Sequence, residues 1–345
     1  MFHSHSIKQF NYRHVLQRCF IGFDHKRYFL LCILLLCVIV LFHSNSNAFT
    51  TTDILENEDI CSQLLQITLH SNRTLCSESA DRRGKKQRII SLSIFGPKEN
   101  SLFADDNFSQ LITPLIHEAT VLFPKWTIRL YADELTISRL NLQDLPRISK
   151  NIDICNVNQI PVLGDVDAYL SGKLWRFLPA LDPTVEFVSS RDLDSPLTHR
   201  EQIVIEEFIN SPYLFLTMRD HPLHNVPVLG GLWTAALNRN RLLFLRLFSI
   251  LLDRTRVQQY ILKKDQNLLE ELVWPKVKDE ALVYDSYLCE QFREGHVRAF
   301  PSQRPARDCH VGCVRPCCQN SSKIILDRPC PQQCRPKYHP DWTYC

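Results

Sequence analysis

The sequence predicts an α/β domain built on a mostly parallel sheet with helices on its faces, and three observations predict it. Short apolar segments of strand type recur at residues 88–95, 126–131, 152–157 and 185–188. Between the first two, Leu111, Leu115, Ile116, Ala119 and Leu122 repeat at helical spacing over residues 108–122, and the pattern stops before Pro124. Strand, helix, strand at this separation points to parallel pairing with crossover helices.

Taken in order, the first strand ends at Gly96-Pro97, the second at Ala132-Asp133 and the third at Val157-Asn158. The fourth is β-branched and apolar, and it delivers Asp192 and Asp194 where its pattern stops. Ser195-Pro196 reads as a helix start, serine as N-cap and proline in the first turn, opening a helix over residues 197–210. Residues 213–218 form another apolar strand, which runs into Arg219-Asp-His-Pro-Leu-His224. Residues 240–264 read as one long core helix, Asp265-Gln266 precede an amphipathic helix ending before Pro275, and residues 281–284 form a short strand.

In open sheets of this kind, ligands bind beyond the carboxyl ends of the strands. An Asp-x-Asp at such an end offers oxygen ligands suited to Mg²⁺ or Mn²⁺, ions that keep positions open for substrate phosphates. The plain alternative for Asp192 and Asp194 is a strand-to-helix turn. Asp165-Val-Asp167 is a second copy, but no comparable strand leads into it. Residues 172–178 read as a helix presenting Lys173 and Arg176 three residues apart, either to neutralise a diphosphate or as a solvated face. Asp220, His221 and His224 have no diagnostic ligand spacing, and Pro222 among them forces an irregular loop, expected to line the substrate site with Asp220 as a base. Gly230-Gly231 implies unusual backbone angles, close approach by a ligand, or a tight turn.

The chain has 345 residues and 45% hydrophobic content, enough for one catalytic-sized domain with appendages. A net charge of +3 gives no large field for nucleic acid. Residues 28–42 carry no charge; at ~1.5 Å each they reach about 22 Å of a ~30 Å hydrocarbon core. Lys8, Arg13, Arg18, Lys26 and Arg27 precede this run, and no lysine or arginine follows until Arg73. The expectation is a type II signal anchor with the tail cytosolic; a cleaved signal peptide ending near Ser46-Asn47-Ala48 is the rival. The expected layout is residues 1–27 as tail, 28–42 as anchor, 43–87 as lumenal stem, 88–302 as the domain and 303–345 as a disulfide-rich extension. Eleven of the 14 cysteines follow the apolar run, as do the sequons at Asn72, Asn107 and Asn320. Cys61 and Cys76 are candidates to close a loop in the stem. The tail holds seven cysteines, which cannot all pair among themselves, so Cys155, Cys289 or another chain is a candidate partner for one, which admits a disulfide-linked oligomer.

Arg191-Asp-Leu-Asp-Ser195, Arg219-Asp-His-Pro222, Leu229-Gly-Gly-Leu-Trp233, Asp265-Gln266 and Tyr284-Asp-Ser-Tyr287, in that order, resemble a group of glycosyltransferase-like proteins of the GT-A class of nucleotide-sugar transferases. The resemblance covers about residues 88–302. It implies a GT-A, Rossmann-type fold whose Asp-x-Asp, here Asp192 and Asp194, holds Mn²⁺ or Mg²⁺ against the diphosphate of a nucleotide-sugar donor. Phe95, Lys173, Arg176, Arg191, Gly230 and Gly231 would surround that donor. Asp285, His296 or His310 would supply a later ligand; relatives carry histidine before Asp-Ser-Tyr, where this chain has Tyr284. An inverting reaction needs a carboxylate to take the proton of the acceptor hydroxyl, and Asp220 and Asp265 are the candidates. The acceptor would be a glycan, protein or lipid, and the location the Golgi or ER membrane with the domain lumenal. Two other readings compete: an aspartate-based phosphatase, and a membrane-anchored binding protein on a degenerate transferase fold.

Overall fold

A computed structural model describes residues 33–35, 37, 59–60, 62–68, 72–95, 107–262, 265–318 and 328–345. Residues 1–68 and 69–345 form separate compact units. In the first, the described residues are helical, and most of the expected anchor at 28–42 lies outside them. No helix among the described residues is long and apolar enough to cross a membrane.

The second unit carries one eight-stranded sheet in the order β3-β2-β1-β4-β6-β5-β7-β8. Its strands are β1 (Gln87–Ser93), β2 (Thr127–Ala132), β3 (Ile152–Asn156), β4 (Val185–Ser190), β5 (Phe215–Arg219), β6 (Trp233–Ala236), β7 (Ala281–Asp285) and β8 (His296–Arg298). All neighbours pair in parallel except β6, which is antiparallel to both β4 and β5. This mixed, mostly parallel sheet fits a Rossmann-like fold. The principal helices are α1 (Asn107–Leu122), α2 (Gly172–Trp175), α3 (His199–Ile209), α4 (Arg241–Phe248) and α5 (Asp265–Leu268).

The alternation of each strand divides its side chains between two cores. Ile90 and Leu92 of β1 and Leu216 and Met218 of β5 pack with Leu115 and Ala119 of α1 and Val204 and Phe208 of α3. On the other face, Phe215 and Trp233 stack at 5.4 Å, and Trp233 meets Phe177 at 5.3 Å and Phe248 at 5.7 Å.

Several expected boundaries move. The N-cap of α3 is Thr198, whose side chain accepts from the Glu201 N–H. Ser195 instead accepts from Arg191 Nη2 at 3.1 Å. The long helix over 240–264 is broken: α4 gives way to a 3₁₀ turn at Ser249–Leu252, and Asp253 caps a new segment, Arg254–Val257. Pro275 does not end the following helix. A π-helical turn at Leu269–Val273 leads into Trp274–Val277, where proline occupies a first-turn position that needs no donor.

The appendages belong to the domain more than their composition implies. Residues 72–87, expected as stem, are tied to the sheet by the Cys76–Cys155 disulfide, by Leu75 N–H donating to Asp182 at 2.7 Å, and by Arg83 on Asp153. Cys76 therefore does not pair with Cys61, which lies outside the described residues. In the tail, Cys309–Cys318, Cys313–Cys317 and Cys330–Cys345 are bonded, and Cys334 takes Cys289. All seven tail cysteines are thus paired within the chain, and none of them is left to link a second one. The sulfurs of Cys313, Cys317 and Cys318 form, among the described residues, the one group of three metal-type ligand atoms lying within 4.8 Å of one another, and disulfide bonds already hold them.

Candidate functional site

A cleft of about 380 Å³ opens beyond the carboxyl ends of β1 and β4. Ser93, Ile94 and Phe95 line it from the β1 side, Asp192, Leu193 and Asp194 from the β4 side, Lys173 and Arg176 from α2 and its C-cap, and Asp265 from α5. Leu111 of α1 and Val314 of the tail complete the wall. Six of the residues singled out in the sequence therefore meet at one place: Phe95, Lys173, Arg176, Asp192, Asp194 and Asp265.

Close backbone approach builds the cleft. A Cβ on Gly172 would lie 3.0 Å from Phe95 Cδ2 and nearer still to the rest of that side chain, so glycine lets Phe95 reach the wall beside Trp175. Gly230 and Gly231 do the same for charge. A Cβ on Gly230 would lie 2.8 Å from Asp265 Cγ and from Arg176 Nη2, and one on Gly231 2.6 Å from Asp192 Cγ. Neither glycine has a positive φ, so the pair is required by the approach of the protein's own carboxylates and not by backbone angles.

Arg176 is buried, and its guanidinium bonds both Asp192 and Asp265 while Nη1 donates to the Arg191 carbonyl at 3.0 Å. Burial disfavours its charge, but Asp192 and Asp265 outweigh burial and raise its pKa above the ordinary value. Asp192 leaves 51% of its side chain exposed, whereas Asp265 leaves 12%. The Asp194 carbonyl accepts from the Arg315 N–H at 2.8 Å, which pins the motif to the tail.

Arg191 does not face the cleft. Fully buried, it donates to the Gly231 and Pro196 carbonyls, each at 3.0 Å, and pairs with Glu201 at 3.1 Å. It fixes the loop that carries the aspartates. Burial raises the pKa of Glu201, and Arg191 opposes that shift.

The other expected residues lie elsewhere. Asp220 is wholly buried and accepts from Arg200 at 2.9 and 3.0 Å, from Arg304 Nη2 at 2.7 Å, from Val311 N–H at 2.9 Å and from Ser286. Burial alone would raise its pKa, but Arg200 and Arg304 hold it well below the usual carboxylate range. A carboxylate so saturated is a structural hub joining α3, β7 and the tail, not a base. Asp285 is equally buried, bonded to Arg219 Nε at 2.6 Å and to the N–H groups of Tyr287 and Leu288. His296 sits on edge strand β8 against the ring of Tyr213 at 4.5 Å. His310 packs on His221 at 4.5 Å and on His224 at 5.6 Å, beside the Asp220 hub. His221 Nδ1 accepts the Leu223 N–H and His224 Nδ1 the Asp220 N–H, each at 3.1 Å, so their neutral rings carry the proton on Nε2 and do not offer it to a metal. Tyr284 is a core residue whose hydroxyl bonds Glu207 of α3.

Three carboxylates, Asp192, Asp194 and Asp265, face two cationic side chains, which leaves one negative charge in an oxygen-rich cleft. Among the described residues these acids do not form a group of three whose oxygens all lie within 4.8 Å. An ion there would be held by one or two carboxylates, with water and substrate phosphates completing its shell. Sequence reasoning missed Gly172, Leu111 and Val314. Gly172 carried a usable signal, a glycine opening a helix that begins at a cleft, whereas Val314 lies in a tail with no visible link to the sheet. No family model and no curated protein matches the chain.

Proposed function

We propose that the protein is a metal-dependent glycosyltransferase of GT-A type, moving a sugar from a nucleoside-diphosphate donor to a hydroxyl acceptor on a glycan, protein or lipid in the secretory lumen. The observation that carries this reading is the convergence of Lys173, Arg176, Asp192, Asp194 and Asp265 on one cleft beyond the carboxyl ends of parallel strands. The disulfides among the described residues and the exposed sequon at Asn72 support a lumenal setting. Type II anchoring in the Golgi or ER membrane belongs to the same proposal and rests on the charge asymmetry about residues 28–42.

In this reading Asp192 and Asp194 hold Mn²⁺ or Mg²⁺, which when bound supplies positive charge to the leaving diphosphate. Lys173 and Arg176 add their own charge to the same oxygens. Phe95 offers the donor an apolar wall. Asp265 is the candidate to accept a proton from the acceptor hydroxyl, because it lines the cleft and Asp220 does not. The phosphatase reading loses ground on topology: its Asp-x-Asp follows the first strand, and here the motif follows β4.

Calorimetry of the full chain against a panel of nucleotide-sugars tests the proposal. Binding to at least one donor is expected only with Mn²⁺ or Mg²⁺, and lost in Asp194→Ala. Metal-independent binding, or none to any donor, favours the binding-protein reading.

A further inference from the structure

Arg176 already occupies the carboxylate that a cation would need. Its guanidinium bonds Asp192 and Asp265 together, and the glycine pair at 230–231 allows both carboxylates to close on it. A divalent cation arriving at Asp192 therefore meets a positive charge on the same carboxylate, and the two compete at short range. A guanidinium driven from Asp192 stays in a buried setting where losing a partner is costly. A diphosphate entering the cleft supplies the replacement, since one of its oxygens can take the Nη1 donor that Asp192 gives up.

We infer that Arg176 is an exchange latch: it holds Asp192 in the free protein and passes to the donor diphosphate on binding, so that cation and diphosphate bind cooperatively. This rests on the glycosyltransferase reading for the identity of the two ligands. Asp265 keeps its half of the contact while the exchange proceeds at the exposed carboxylate, because Asp265 is the more buried of the two. By linkage, the factor by which diphosphate tightens the cation equals the factor by which the cation tightens diphosphate. Couplings of this kind run from about 5-fold to about 150-fold.

The test is titration of Mn²⁺ into the full chain, alone and with each of the four common nucleoside diphosphates, with bound Mn²⁺ read by electron paramagnetic resonance. Wild type is expected to bind Mn²⁺ weakly alone and about tenfold or more tighter with the matching diphosphate. Arg176→Gln is expected to bind Mn²⁺ alone about tenfold tighter than wild type, with the coupling to diphosphate reduced by about the same factor, to what direct contact between cation and diphosphate supplies. Arg176→Lys, which keeps the charge but cannot span both carboxylates, is expected between the two, and it carries the test if the glutamine variant melts early. A wild type that binds both ligands with coupling unchanged in folded variants overturns the latch and leaves the glycosyltransferase reading standing. A wild type that binds Mn²⁺ with none of the diphosphates overturns both.

Discussion

Asp220→Asn separates a structural hub from a catalytic base. The substitution keeps shape but removes the charge that faces Arg200 and Arg304, and it turns one acceptor into a donor among four groups that donate to it. Arg200 and Arg304 are themselves buried, with side chains only 3% and 0% exposed, so neither can turn to water. Breaking a buried pair by removing one partner costs about 3–5 kcal/mol. In a domain of this size each kcal/mol lowers the melting temperature by roughly 2–4 °C, which gives a drop of roughly 6–20 °C. Thermal melting at a fixed scan rate, followed by circular dichroism, measures it. A variant that melts within about 1 °C of wild type would show the assignment of Asp220 as a hub to be wrong.

Acid should destabilise the fold early. Burial pushes the pKa of His224 and His310 down to about 3 from 6.5, with neighbouring histidines adding to the shift, so the unfolded chain binds protons that the folded form excludes across that window. Stability is then lost as pH falls from 6.5 toward 3, by up to about 1.4 kcal/mol per pH unit per histidine; the lowered pKa of Asp220 acts in the same direction at the acid end. Urea midpoints between pH 7 and 4 measure this, and a flat profile contradicts it. Gly231→Ala should weaken Mn²⁺-dependent donor binding by about tenfold or more, because its Cβ displaces Asp192; equal donor affinity in a calorimetric titration would refute it. Replacing Cys76 and Cys155 together by serine opens a link spanning 79 residues and should cost about 4–5 kcal/mol on the chain-entropy model, read as a shift in the urea midpoint.

Where chain-local signals decide structure, the sequence was readable. The first four strands are apolar runs with clear stops, and all four stand in the sheet. Strand β6 was missed because Trp-Thr-Ala-Ala, one residue after Gly-Gly, shows no alternation, and its antiparallel sense comes from its place between β4 and β5. Strand β8 is three residues on an exposed edge, too short for any pattern. In the cleft, Asp194 was legible because it follows a strand end, and Lys173 and Arg176 because they stand three residues apart at a helix. Asp220 and Asp285 misled for one reason: a carboxylate after a strand looks alike whether it faces a ligand or a buried arginine. The partners that settle it, Arg200, Arg304 and Arg219, come from other segments that only the fold brings near. The tail was the largest gap. Nothing in its cysteine spacing shows that Val314 walls the cleft or that the Arg315 N–H holds the Asp194 carbonyl.

The central claim is that Asp192 and Asp194 form the cation end of a donor site. Diffraction at the manganese edge, from crystals grown with Mn²⁺ and a bound nucleotide-sugar, tests it most directly. An anomalous peak within coordination distance of Asp192 or Asp194, beside the donor diphosphate, is expected. A donor bound in the cleft with no such peak, or a peak at the tail cysteines instead, would contradict it.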